Sequence, residues 1–211
     1  MTDRKQETSA RYGRHHAERR EGGELIFVPE RIPLFQRYVG GPGRRVLDLG
    51  CRSGAVTRAY AAGNEVTGVD VDRRALERAA AALSIETVWA DVDESLPFEN
   101  ESFDVVVAAE LLEHVRDPAA LMGEIRRVLR PGGTFVGSVP NGYRLKSRLL
   151  FLAGRPPEDD PTHLHLYSPA MLLQLLEGFS SPQLHFVGGR FRRLHPRLLA
   201  RDVVFAATRS L

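Results

Sequence analysis

Apolar positions along the chain change period again and again. Between residues 25 and 39, Ile32, Phe35 and Val39 fall at helical spacing before Gly40-Gly41-Pro42-Gly43 ends the run. Alternating units follow, with strands expected over 45–49, 65–70, 85–90, 103–109 and 134–139, and helices over 55–62, 73–83 and 118–129. The segment Phe103-Asp-Val-Val-Val-Ala-Ala109 has no polar alternation, as a strand covered by helices on both faces requires. Strands alternating with helices give an α/β fold with a doubly wound, mostly parallel sheet. The last third breaks the rhythm: a helix over 143–153, a polar loop over 154–168 and a helix over 169–177. Strands near 183–187 and 202–208, joined by a short connection, point to an antiparallel C-terminal hairpin that brings the sheet to seven strands. Residues 1–23 carry ten charges and end in Gly22-Gly23, so they are expected to form a flexible arm before a single domain over 24–211.

The sharpest chemical signal is Arg45-Val-Leu-Asp-Leu-Gly-Cys-Arg-Ser-Gly-Ala55, a strand entering a glycine-bearing turn. Asp70 closes the next strand, 20 residues beyond Gly50, where a carboxylate can accept hydrogen bonds from both hydroxyls of a ribose. A dinucleotide fingerprint would need glycine at 52 and 55, where this chain has Arg52 and Ala55. The loop instead fits D-x-G-x-G-x-G through Asp48, Gly50 and Gly54, lacking the central glycine.

With Ala90-Asp91, Glu110-Leu-Leu-Glu-His-Val-Arg-Asp-Pro118, Leu129-Arg-Pro-Gly-Gly133, Val139-Pro-Asn141 and Thr162-His163, the chain resembles the class I S-adenosylmethionine-dependent methyltransferases. The similarity, over roughly residues 30–180, is to the small-molecule branch that includes ubiquinone-type O-methyltransferases. It implies a Rossmann-like fold and S-adenosyl-L-methionine as cofactor. By the same resemblance the loop from Gly50 through Cys51 and Arg52 to Gly54 packs on the methionine part, and Asp48 orders that loop and the amino group. Asp70 and Val71 would meet the ribose, Asp91 and Val92 the adenine, and Ala109 and Glu110 the cofactor's edge. Arg52 departs from the pattern.

Methyl transfer is an in-line displacement, so the protein supplies alignment and, for a hydroxyl acceptor, a base. In an open α/β sheet the groups to supply them lie beyond the carboxyl ends of strands four and five: Glu110, Glu113, His114, Asn141 and Tyr143. His114 suits a general base, and His163 or His165 is placed by the resemblance over the acceptor pocket. In some ubiquinone-type relatives the groups matching Glu110, Glu113 and His114 are associated with a divalent ion. The same spacing is that of an ordinary helix start, and the pair His163 and His165 has no third ligand nearby in sequence, so no metal is expected. In the arm, Tyr12, Arg14, His15 and His16 would suit a lid over the cofactor.

Composition narrows the partners. Charged residues make up 27% of 211 and nearly cancel to +2, against a DNA-coating protein, while 43% hydrophobic content supports a sizeable core. Cys51 is the single cysteine, so no intramolecular disulfide forms, and the charged start together with the lack of a spanning apolar run points to the cytoplasm. The acceptor is expected to be a small molecule, most readily at oxygen. Basic and apolar residues interleave over 143–152, and five arginines fall within 189–201, which leaves room for peripheral contact with a lipid or membrane surface, or with RNA. No Asn-Pro-Pro-Tyr-like motif follows strand four to support base methylation of RNA. A binding module without catalysis is the alternative of a different class.

Overall fold

A computed structural model describes residues 29–158 and 160–211. The arm over 1–23, with Tyr12, Arg14, His15 and His16, lies outside them. Among the described residues seven strands form one sheet: β1 Arg45–Leu49, β2 Glu65–Asp70, β3 Glu86–Trp89, β4 Phe103–Ala109, β5 Leu129–Pro140, β6 Phe179–Val187 and β7 Asp202–Arg209. Their order is β3-β2-β1-β4-β5-β7-β6. The first five pair in parallel, and β7 inserts antiparallel between β5 and β6. The sheet is therefore doubly wound with an antiparallel terminal hairpin, as the sequence pattern required.

Helices cover both faces because most strands bury side chains on both. α3 Pro118–Val128 and α5 Pro169–Leu175 set Leu121, Met122, Ile125 and Leu172 against Leu129, Phe135 and Phe205. On the other face, α1 Ile32–Val39 packs Phe35 and Val39 against Val46, Val105, Val107, Val136 and Val204. α2 Arg73–Leu83 is capped by Asp72, whose carboxylate accepts the Ala75 N–H at 3.1 Å. Two shorter helices, α4 Leu145–Leu152 and α6 Pro196–Leu199, lie beyond the carboxyl ends of β5 and β6. No helix among the described residues is long and apolar enough to cross a membrane.

Several expectations change: β6 begins at Phe179 rather than near 183, and the connection from β6 to β7, expected to be short, carries α6. The helix expected over 55–62 is only a 3-10 turn, Thr57–Ala59. Its cause is Asp48, one of whose carboxylate oxygens accepts from both the Thr57 hydroxyl (2.6 Å) and the Tyr60 hydroxyl (2.8 Å). Residues three apart line up in a 3-10 turn, which lets both reach one oxygen. The expected break at Pro131-Gly132-Gly133 becomes a bulge inside β5: Leu129 pairs with Phe103, and the register has shifted where Thr134 meets Val105.

The β4-β5-β7 centre is close-packed. A β-carbon at Gly137 would lie 2.4 Å from the Phe205 ring and 2.7 Å from the Ala108 carbonyl oxygen. Gly137→Ala is expected to lower stability by about 2 kcal/mol or more, because backbone cannot yield as a side chain can. Urea unfolding checks this, and a loss under about 0.5 kcal/mol contradicts it.

Candidate functional site

The strand order reverses between β1 and β4, so the loops after them diverge and leave a crevice at the carboxyl edge. The loop after β1 folds back onto β2. The amides of Gly50 and Cys51 both donate to the Val69 carbonyl, at 2.8 and 3.1 Å. Gly50 and Gly54 have φ of +71° and +79°, and a β-carbon at Gly54 would come within 2.4 Å of Leu83. Arg52 takes φ +50° as well, where the motif has glycine. Its amide donates to one Asp70 oxygen at 2.9 Å, and the Asp72 amide donates to the other at 2.8 Å. These two bonds fix the Asp70 carboxylate at the crevice; burial raises its pKa while the amides oppose that rise. The Cys51 thiol is turned onto Gly68, and burial pushes its pKa well above the usual range, so it is packing and not a nucleophile.

Asp91, after β3, is buried; one of its oxygens accepts the Asp93 amide at 3.0 Å, and the other has no partner among the described residues. Val92 packs at the edge of the core beside it. The Trp89 indole donates to the Val71 carbonyl at 2.9 Å, which steadies the backbone after Asp70.

Across the crevice, β4 ends at Ala109, and Glu110 has a left-handed backbone at φ +52°. The Glu110 carboxylate accepts from the Ser138 hydroxyl at 2.8 Å and meets Arg31 at 3.2 Å. Arg31 also bonds Asp202 at 2.8 Å. This buried Arg31 ties the segment before α1 to β4 and to the start of β7, although no sequence spacing links residues 31 and 202. Burial raises the Glu110 pKa and Arg31 lowers it. A 3-10 turn, Leu112–His114, then carries Glu113 and His114. The Glu113 carbonyl accepts the amides of Leu164 (2.7 Å) and His165 (3.2 Å), so the segment over 161–167 is laced to this turn.

That lacing sorts the histidines. His165 bonds the Val115 carbonyl at 2.9 Å and serves the loop. His163 stands beside His114, ring centroids 4.8 Å apart, with its Nδ1 2.5 Å from a Glu158 oxygen. Glu113, His114 and His163 offer ligand atoms all within 4.8 Å of one another. Thus the third group that sequence spacing did not display comes from the segment after β5 that is laced to this turn. Asn141 has a structural part, its amide donating to the carbonyls of Arg197 (3.0 Å) and Ala200 (3.1 Å). Tyr143 lies outside the cluster, lining a shallow depression with Arg148, Ser168 and Arg197. Sequence reasoning missed Arg31 and Glu158; for Glu158 the signal was the acidic run just before Thr162-His163.

Residues 47–137 match the family model described as "Methyltransferase domain". A ubiquinone biosynthesis O-methyltransferase of Idiomarina loihiensis is 31% identical over 189 residues, covering 83% of this chain and 77% of that protein. The chain belongs to the class I S-adenosylmethionine-dependent methyltransferases. A relative of the same name from Alkalilimnicola ehrlichii is 36% identical over 120 residues, 54% of this chain and 49% of that protein. This methyltransferase thus spans about half the length of several curated relatives it matches. Among solved structures, phosphoethanolamine N-methyltransferase 2 of Haemonchus contortus, in complex with S-adenosyl-L-methionine, superposes with a TM-score of 0.68 at 20% identity, over 86% of this chain and 52% of that one. A SAM-dependent methyltransferase from Archaeoglobus fulgidus gives 0.66 at 23%, over 85% and 92%. These two likenesses carry the fold.

The cofactor of this methyltransferase is S-adenosyl-L-methionine, and two features of the crevice fit it: a buried Asp91 oxygen with no partner among the described residues, of a kind that accepts from an amino group, and a loop turned tightly at Gly50 and Gly54. Two predictions test the loop. Burial raises the Asp48 pKa from 3.8 to about 6, against the pull of its bonds to Thr57 and Tyr60. The folded chain therefore holds a proton on Asp48 that the unfolded chain has released, and this contribution to stability is lost as pH rises from about 4 to 6. Asp48→Asn should gain on wild type by about 3 kcal/mol between pH 4 and pH 7. Urea unfolding at both pH values decides, and a constant difference contradicts the assignment. Arg52→Gly should raise stability by about 1 kcal/mol by relieving the left-handed backbone, read from the denaturation midpoint; a loss of stability would mean that the Arg52 side chain outweighs the strain.

Proposed function

We propose that this methyltransferase moves the methyl group of S-adenosyl-L-methionine to a small-molecule acceptor, at oxygen in preference to carbon or nitrogen. The observation that carries the reading is the juxtaposition of Glu110, Glu113 and His114 after β4 with His163 from the segment after β5, at the crevice. An oxygen acceptor must lose a proton, and a cluster of imidazoles and carboxylates opposite the cofactor loop is the chemistry that can receive it. The relatives named O-methyltransferases support the same choice.

The bound cofactor supplies a sulfonium methyl and leaves as a neutral thioether. In this reading the residues 50–54 hold the methionine part, with Asp48 fixing the loop from behind through Thr57 and Tyr60. Asp70 and Val71 receive the ribose, Asp91 and Val92 the adenine, and Ala109 with Glu110 borders the cofactor. Glu110 is held by Ser138 and Arg31, so the wall between cofactor and acceptor is rigid. His114, fixed through its Nδ1 on the Thr162 carbonyl at 3.1 Å, takes the acceptor proton with His163 beside it.

A lipid-borne acceptor is the second reading. Phe151, Leu152 and Leu194 are 72%, 81% and 80% exposed, the first two between Arg148 and Arg155 in sequence and the third just after Arg192 and Arg193, and exposed apolar side chains flanked by cations suit a lipid surface.

Two variants test the proposal. Asp70→Ala should weaken cofactor binding about 5- to 150-fold, corresponding to about 1–3 kcal/mol for two unpaired hydroxyls; unchanged affinity by calorimetry places the ribose elsewhere. His114→Ala should keep cofactor affinity and lower turnover about 100-fold or more. Undiminished turnover would leave alignment as the only catalytic device.

A further inference from the structure

The depression between α4, α6 and the start of α5 has a volume of about 250 Å³ and is lined by the apolar Pro169, Ala170 and Leu198 together with Tyr143, Arg148 and Arg197. No carboxylate lines it. Arg148 donates from Nε to the Tyr143 carbonyl at 2.8 Å. Neither its terminal nitrogens nor the Arg197 guanidinium has a hydrogen bond or ion pair among the described residues. The surrounding chain has the same sign: residues 141–157 hold four arginines and lysines and residues 178–201 hold five, with no aspartate or glutamate in either stretch. Like charges at one concavity raise each other's energy, and a bound anion removes that cost.

The backbone that carries the two arginines is already fixed. The Asn141 side chain donates to the carbonyls of Arg197 (3.0 Å) and Ala200 (3.1 Å), and α4 packs against α6. An anion therefore meets a formed site and does not have to order a loop.

The structure assigns this depression to the binding of an oxyanion, phosphate or carboxylate, carried on an apolar body. A guanidinium offers paired N–H donors to such a group, while Pro169, Ala170, Leu198 and the Tyr143 ring take up the apolar part. The occupant is a single molecule and not a lipid surface, because both arginines line a concavity. Ser168, which also lines it, is five residues from His163, no more than about 17 Å of extended backbone. An acceptor whose oxyanion lies within about that span of its methylated oxygen fits both places. This use of the site rests on the methyl-transfer reading above; anion binding itself does not.

The test is calorimetric titration of the full chain at low ionic strength with octyl phosphate, octanoate, octyl glucoside and inorganic phosphate, with S-adenosyl-L-methionine affinity measured on the same samples. Octyl phosphate or octanoate should bind at one per chain, at least about 10-fold tighter than the uncharged glucoside or inorganic phosphate, and the tighter of the two names the oxyanion. Arg148→Gln and Arg197→Gln should each weaken it about 10- to 100-fold, as for a lost charge-assisted hydrogen bond. Arg155→Gln and Arg190→Gln, outside the depression, should change it less than about 2-fold. Retained cofactor binding in the variants shows that they fold. Glucoside binding as tight as that of the anions overturns the site, and so does an equal loss in all four variants, which would mark a diffuse cationic surface. Binding to phosphatidylglycerol vesicles with none to octyl phosphate or octanoate overturns it in favour of a lipid surface. Failure of cofactor binding in the wild type would count against the methyl-transfer reading and leave the anion result standing.

Discussion

The carboxyl edge of this sheet depends on how the loop after β1 is tied to β2. Two amides converge on the Val69 carbonyl, and the next amide donates to the Asp70 carboxylate. Those bonds hold residues 50–52 in a tight curl with positive φ at Gly50 and Arg52, and φ is positive again at Gly54. The arrangement serves two ends. It keeps the loop backbone close to the crevice, and it orients Asp70 by its amide partners while leaving further lone pairs for hydroxyl donors. Asp48 braces the same loop from the opposite side.

On the far side of the crevice, the structure depends on long-range ties. Arg31 joins Glu110 to Asp202, so the chain before α1, the end of β4 and the start of β7 share one buried network. The Glu113 carbonyl accepts two amides from the segment after β5, and the Tyr167 hydroxyl donates to the Leu112 carbonyl at 3.2 Å. A segment that pattern alone marks as a polar loop is thereby fixed against the turn carrying His114. The side proposed for the cofactor is built from short stretches at the ends of β1, β2 and β3, whereas the side proposed for the acceptor is assembled from four distant stretches.

This difference decides what was legible in the sequence. Strands buried on both faces advertise themselves, as Val105 to Ala108 do, and Asp48, Gly50, Gly54, Asp70 and Asp91 sit at fixed offsets from strand ends. The single turn at 57–59 was not legible, because the alanine-rich run over 55–62 favours a helix and only the fold shows Thr57 and Tyr60 drawn to one buried carboxylate. The bulge at 131–133 likewise follows from pairing with β4, a non-local cause. Nor could spacing show that His163 and not His165 meets His114, or that Arg31 reaches across 171 residues to Asp202.

The account's central claim is that this crevice delivers a methyl group to a small molecule. The most direct measurement incubates the full chain with methyl-labelled S-adenosyl-L-methionine and a cell extract, then separates products by size and solubility. Label should pass to a low-mass product, water-soluble or lipid-extractable, whose methyl sits on oxygen. Label found only in RNA or protein, or no transfer in any fraction while the cofactor still binds, would contradict it.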